Sequence, residues 1–293
     1  MAAAKPLTIA YTPDSDDAFY YDALETGRVS LPGYRPAFSR APMSVLNHAA
    51  LRGEYDVTAI SSVVYPQIAQ RYAILSVGTS VGRGYGPVLV SKDERTLEDL
   101  RERRVGVPGV PTTGWFLLRC LCPEAIPVEM AFDEIAGAVA AGKLDAGVMI
   151  HEELLYYPRM GLRRVVDLGA EWCQRHDLPL PVGLNVIRRD LGSAAMQRIC
   201  AAIRRSLEYA LDHSEEALSR VRRLGRGAEG QCTEQFVAMF ANADSVRMPA
   251  DVRTALRVLF CQVADLGLCR VVPPIDIIEG STADSMARRS RAA

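Results

Sequence analysis

The chain has 293 residues, 49% of them hydrophobic and 24% charged, with 34 basic against 35 acidic side chains. That length gives one large domain or two, with a core big enough to fold without staples, and it excludes disorder for most of the chain. The net charge of -1 leaves no electrostatic footprint for a nucleic-acid backbone, and the basic cluster Arg288, Arg289 and Arg291 sits in a tail, 281–293, that reads as solvated and frayed.

The opening MAAAKPLTIAYTPDSDDAF lacks the charged and apolar regions of a secretory signal, and no later run approaches a membrane span. A cytoplasmic location is therefore expected. Seven cysteines are an odd number and lie scattered, mostly within helical apolar patterns, so they read as buried thiols. Cys120 and Cys122 form the closest pair, but no second pair stands at metal-ligand spacing, and no metal is expected.

Apolar runs and helical stretches alternate from the N-terminus, which predicts an α/β protein with mixed, mostly parallel sheets. LTIAYT (7–12) reads as a strand leading through PDSDD into a helix over 19–24 that Gly27 ends. A strand over 34–39, a helix over 44–51, a strand over 55–61 and a helix over 65–72 follow. In GRGYGPVLVS (82–91) glycines then give way to another strand. A second unit repeats the alternation: a helix in LEDLRERR, a strand over 105–107, a helix from Thr113, the strand VEMAF, the helix DEIAGAVAAG and the strand KLDAGVMI. Helices dominate the last hundred residues, with core-facing stripes at Ile199, Ile203, Leu207 and Leu211 and at Val252, Leu256, Leu259, Phe260 and Val263.

HAALRGEYDVTAIS (48–61) and AVAAGKLDAGVMI (138–150) share one plan: a helix, a glycine stop, then an Asp-led strand. Two units built alike suggest two lobes, with a ligand in the cleft beyond the carboxyl ends of the strands. His151 directly follows the strand KLDAGVMI. The helix start behind it disfavours imidazolium while Glu152 and Glu153 favour it, so the direction of its pKa stays open. Thr112 and Thr113 follow a Pro/Gly turn at a helix start, where they either cap the helix or join free N–H groups in holding a carboxylate or phosphate. Ser61 and Ser62 occupy the matching place in the first unit. The acidic loop Asp14, Ser15, Asp16, Asp17 precedes a helix, which carboxylates cap; alternatively, one of them accepts hydrogen bonds from sugar hydroxyls. Gly82, Gly84 and Gly86 precede a strand rather than opening a helix, so they read as a close backbone approach or lobe crossing, not a phosphate cradle.

In this order and spacing, GRGYGPVLVS (82–91), PGVPTTGWFLL (108–118), GVMIHEELLYY (147–157) and DLGAEWCQRHDLPLPVGLNVIRRDL (167–191) resemble the 1,4-dihydroxy-6-naphthoate synthase family of the futalosine route to menaquinone. The resemblance runs from about Thr12 to Asp190. It implies the two-lobed fold of type II periplasmic binding proteins: a larger lobe of 1–92 and 189–280, and a smaller lobe of 93–188. It also implies a lyase without metal or organic cofactor that converts cyclic dehypoxanthinyl futalosine to 1,4-dihydroxy-6-naphthoate. The family's catalytic histidine matches His151, its paired threonines match Thr112 and Thr113, and its strand-end segment matches Ala59, Ile60 and Ser61. Asp17 is kept from the family's first loop and is taken as a substrate contact. Tyr85, Trp115, Tyr156 and Trp172 are candidates to flank the rings.

Three departures stand out. The family's first loop usually reads S-P-C-P-N-D-T-F, whereas this chain has TPDSDDAF, which places two extra carboxylates before a carboxylated substrate. Glu153, Leu154, Leu155 and Tyr156 replace a basic residue and Phe-Thr-Tyr, and Asn185 stands where a small or apolar residue is common. The expected partner is a carboxylated small molecule, with no nucleic acid and no membrane, and a homodimer stays open. Two other functions fit the same fold: a non-catalytic cytosolic binding protein that kept the clamp and lost the chemistry, and a chorismate dehydratase.

Overall fold

The computed structural model describes residues 4–224 and 230–280, so the tail at 281–293 with its arginines lies outside the described residues. The chain runs β1 (Lys5–Tyr11), α1 (Ser15–Glu25), β2 (Tyr34–Arg40), α2 (Met43–Arg52), β3 (Val57–Ser61), α3 (Tyr65–Ile68), β4 (Tyr72–Leu75) and β5 (Ser80–Gly82). It continues with β6 (Val88–Ser91), β7 (Arg104–Val107), α4 (Thr113–Leu121), β8 (Ile126–Glu129), α5 (Phe132–Ala140), β9 (Ala146–Met149), α6 (Glu153–Tyr156), β10 (Arg163–Asp167) and α7 (Leu168–His176). It closes with β11 (Leu180–Arg188), α8 (Ser193–Asp212), α9 (Ser214–Leu224), α10 (Gly230–Phe240), α11 (Ala243–Val246), α12 (Ala250–Asp265) and β12 (Ile277–Ile278).

Two sheets form. One has the order β12-β4-β11-β3-β1-β2 with β5 also paired to β11, and the other the order β10-β6-β9-β7-β8. Each carries a parallel half, β3-β1-β2 and β9-β7-β8, built from the alternating segments that the hydrophobic pattern picks out. The sheets are mixed, because β11 runs antiparallel to β3, β4 and β5, and β6 runs antiparallel to β9 and β10. Antiparallel pairing is therefore as prominent as parallel, and it centres on the strands that carry the chain between lobes.

Those strands also shift the lobe boundaries expected at 92 and 188. β6 belongs to the smaller sheet and β11 to the larger, so the crossings fall at 83–87 and 177–179. The glycines of GRGYG explain the first crossing. A Cβ on Gly82 would lie 1.9 Å from the Tyr85 carbonyl oxygen, and one on Gly169 would lie 2.5 Å from Gly86 Cα, so the backbones pass with no room for a side chain. The C-terminal helices are not confined to the larger lobe either: Phe236 and Phe240 of α10 pack with Ile135, Val139 and Leu154 in the smaller lobe's core.

α8 buries Ile199, Ile203 and Leu207 but exposes Leu211. Steps of four overshoot the helical repeat by about 40° each, so by the fourth position the stripe has rotated off the core and Ala210 is buried in its place. The second stripe, on α12, buries all five of its apolar residues.

Candidate active site

The carboxyl ends of β1 and β3 lie side by side in the larger lobe, and the loops that leave them form one wall of a cleft. From β3 come Ala59, Ile60 and Ser61, which line the cavity, while Ser62 is buried behind them. Asn47 of α2 fixes Ser61: its Oδ1 accepts the Ser61 N–H at 2.9 Å and its Nδ2 donates to Ser61 Oγ at 3.1 Å. From β1 the chain turns through Thr12 into α1. Asp17 Oδ2 accepts both the N–H and the hydroxyl of Thr12, at 2.9 and 2.8 Å, which ties the loop to the helix.

Burial pushes Asp17 up to about 6, against the two Thr12 bonds that favour its charged form. Its neighbour Asp16 is buried as well, beside Asp17 and Asp14, and is driven well above the ordinary carboxylate range. Asp16 Oδ2 accepts from Ser80 Oγ at 3.1 Å. The acidic loop therefore presents fewer negative charges than its composition suggests, because Asp16 is biased toward its neutral form.

The opposite wall belongs to the smaller lobe. Thr112 caps α4, accepting the Trp115 N–H at 3.3 Å while its hydroxyl donates to the Gly109 carbonyl at 2.9 Å. Thr113 Oγ1 donates to the Val182 carbonyl of β11 at 2.7 Å. Both hydroxyls thus hold the protein together. What remains for an anion is the first turn of α4, where the N–H groups of Thr113 and Gly114 have no partner inside the helix.

β9 ends at Met149, and His151 adopts φ 53, a left-handed backbone uncommon for a residue with a side chain. Its Nδ1 lies 2.9 Å from Asp14 Oδ2, with the side chains 12% and 3% exposed. Burial works against the imidazolium, but the carboxylates of Asp14, Glu153 and Glu152 outweigh it and bring His151 up to about 9. The direction left open by the sequence is upward. The Phe132 ring stands edge-on to the imidazole at 4.9 Å.

Asp17, Ala59, Ile60, Ser61, Thr112, Thr113 and His151 all line one cavity. None of the four aromatic candidates lines it. Trp115 packs in the core, Trp172 bonds Gln262 at 2.9 Å, Tyr85 donates to the Met239 carbonyl at 2.6 Å, and Tyr156 is drawn to Glu153. Phe236 and Phe240 of α10 supply the aromatic wall instead. Asn185 also lines the cavity, but its amide is spent on the Gly78 carbonyl at 2.8 Å and the Tyr21 hydroxyl at 2.6 Å. Among the described residues, no group of three or more His, Cys, Asp or Glu is arranged to hold a metal ion.

Two mixed α/β lobes crossed twice by the chain, with a cavity at their strand ends, define the periplasmic-binding-protein fold. The aliphatic sulphonate binding protein of Escherichia coli superposes with a TM-score of 0.66 at 13% identity, over 93% of this chain and 91% of that one, which speaks to the fold alone. A crystal structure of an Archaeoglobus fulgidus protein agrees with a TM-score of 0.86 at 38% identity, over 90% of this chain and 98% of that one. The chain belongs to the menaquinone biosynthesis family, whose model matches residues 7–265. Two relatives carry the name 1,4-dihydroxy-6-naphthoate synthase. The one from Thermus thermophilus is 38% identical over 91% of this chain and 97% of its own, and the one from Streptomyces coelicolor 34% identical over 93% and 98%.

Proposed function

We propose that the chain is a 1,4-dihydroxy-6-naphthoate synthase, a lyase acting on cyclic dehypoxanthinyl futalosine with His151 as general base. The observation that carries this reading is the convergence of His151, Ser61, Thr112 and Thr113, from both lobes, on a single cavity. Two relatives of that name matching almost the whole chain support it.

The substrate carboxylate lies on the free N–H groups at the start of α4, where the helix dipole favours negative charge. Asp16, biased toward neutrality, does not repel it. The rings pack against Phe236 and Phe240. In its neutral form, a minor fraction at pH 7 because the surrounding carboxylates bring it up to about 9, His151 takes a proton from the bound substrate, which opens an elimination that breaks a bond to the sugar-derived portion and leaves an aromatic dihydroxynaphthoate; turnover therefore rises toward alkaline pH. Aromaticity supplies the driving force, and closure of the lobes excludes water from the base. Such an enzyme works in the cytoplasm, and among the described residues no helix is long and apolar enough to cross a membrane.

The test is turnover of cyclic dehypoxanthinyl futalosine by the wild type and by His151→Gln, with naphthoate release followed by chromatography. Loss of roughly 100-fold or more in kcat in a folded His151→Gln protein supports the base. A wild type that binds the substrate saturably without turning it over sinks the synthase reading and leaves a binding protein.

A further inference from the structure

Asp14 and Ser15 stand at the entry to α1 in the larger lobe, and His151 and Glu152 leave β9 in the smaller. The four residues meet across the cleft as two adjoining pairs. Asp14 Oδ2 faces His151 Nδ1 at 2.9 Å, and Ser15 donates both its N–H, at 3.2 Å, and its hydroxyl to the Glu152 carboxylate. An aspartate before a helix ordinarily caps it, yet the Asp14 side chain makes no capping bond to α1. Its carboxylate reaches to the other lobe instead.

A carboxylate on Nδ1 selects the tautomer of an imidazole: the proton sits on Nδ1 and Nε2 is left as the basic atom. The left-handed backbone at His151 and the edge-on Phe132 ring restrict the imidazole plane further. The charged groups facing this ring are Asp14, Asp16 and Asp17 from the start of α1 and Glu152 and Glu153 from the turn after β9, while α5 presents the apolar Phe132. Of these, Asp14 is the one whose oxygen lies within hydrogen-bond reach of the ring.

We propose that Asp14 is a positioning residue for His151: from the opposite lobe it holds Nδ1–H and leaves Nε2 for the substrate. This deepens the reading of His151 as base and rests on it. The Ser15–Glu152 pair is the adjoining latch that brings the two loops into register.

The experiment is imidazole NMR on the apo-protein, in which His48, His151, His176 and His213 are the four histidines and His151→Gln assigns the signal. In the wild type His151 is expected to titrate near 9 and, above that midpoint, to keep its remaining proton on Nδ1. Asp14→Asn, which keeps the shape and removes the charge, moves that midpoint down by about one pH unit or more and mixes the tautomers. With cyclic dehypoxanthinyl futalosine, kcat on the alkaline plateau, where the base is neutral in both proteins, falls at least roughly tenfold while KM stays within about threefold, and the rising limb of the pH profile moves down with the NMR midpoint. Asp14→Glu recovers part of both effects.

A folded Asp14→Asn protein with unchanged His151 titration and tautomer overturns the proposal, and so does a lowered kcat with an unmoved pH limb. If Asp14→Asn does not fold, Asp14→Glu carries the same test, since a longer carboxylate must still displace the midpoint and tautomer if Asp14 holds the ring. If the wild type does not turn this substrate over, the titration still judges the pair: a moved midpoint upholds Asp14's hold on His151 while the synthase reading fails.

Discussion

Asn47 bonds Ser61 with both ends of its side-chain amide, and the same Nδ2 also donates to the Pro111 carbonyl at 2.8 Å. One fully buried amide in the larger lobe thereby fixes the strand-end serine and the loop that delivers Thr112 and Thr113 from the smaller lobe. Replacing it with alanine leaves the Ser61 N–H and the Pro111 carbonyl buried without that partner. Each orphaned group costs about 1–3 kcal/mol. Asn47→Ala is therefore expected to lose about 2–4 kcal/mol in urea unfolding and to raise KM more than it lowers kcat. Unchanged stability and KM would show that the two halves of the clamp are set independently.

The crossing of the lobes gives a sharper case. A Cβ on Gly169 meets Gly86 Cα at 2.5 Å, Gly86 N at 2.6 Å and the Tyr85 carbonyl oxygen at 2.6 Å. All three are backbone atoms and cannot rotate away as a side-chain tip does. Gly169→Ala is expected to cost more than about 3 kcal/mol or to abolish soluble expression. Gly161→Ala serves as the comparison: Gly161 also sits in the smaller lobe, but the site is open and the price is that of a positive φ alone, about 1 kcal/mol. Equal losses in the two variants would mean that the crossing yields.

How far the sequence reaches depends on how local each signal is. His151, Thr112, Thr113 and Ser61 are legible because each follows a short apolar strand, and the ends of such strands face the cleft in this fold. Asn47 carries no such mark, since its place in the site exists only once α2 is packed beside a loop from the other lobe. Phe236 and Phe240 read as ordinary core residues of an amphipathic helix, and nothing nearby in the chain shows that α10 spans both lobes. The strand β11 is hidden by Pro179 and Pro181 and by a burial pattern that does not alternate. Tyr72, read as a helix end, begins β4, because the helical pattern before it closes after one turn at Ile68.

Phe236 stacks obliquely on Phe240 at 4.9 Å, and both face the cavity. If they flank the rings of an aromatic product, trimming one face weakens binding without touching the proton transfer. Phe236→Leu is expected to raise KM about 3- to 10-fold with kcat within about twofold, the signature of binding shared by ground and transition states. The stability loss should stay near 1–2 kcal/mol, since the replacement is apolar and of similar volume. A fall in kcat at unchanged KM would instead place α10 in the chemistry or in lobe closure.

The buried acids and His151 together set the pH dependence of stability. His151 rises from 6.5 to about 9 on folding, so its proton is held more tightly by the folded chain. The stability this adds is fully present below 6.5, declines as pH climbs, and is gone above 9. Asp17, raised from 3.8 to about 6, acts with the same sign in a lower window: it favours the folded state below 3.8 and loses that advantage as pH passes 6. Stability should therefore fall continuously from mildly acidic to alkaline pH rather than peak near neutrality. The His151 share between pH 6.5 and 9 is on the order of 3 kcal/mol. Urea unfolding at intervals from pH 5 to 10 reads it directly, and Asp14→Asn, by removing the carboxylate at 2.9 Å, should flatten the curve above pH 6.5 and, because the same charge helps raise Asp16 and Asp17, make it shallower on the acid side as well. A wild-type curve already flat across that interval would mean that His151 gains no net hold on its proton when the chain folds.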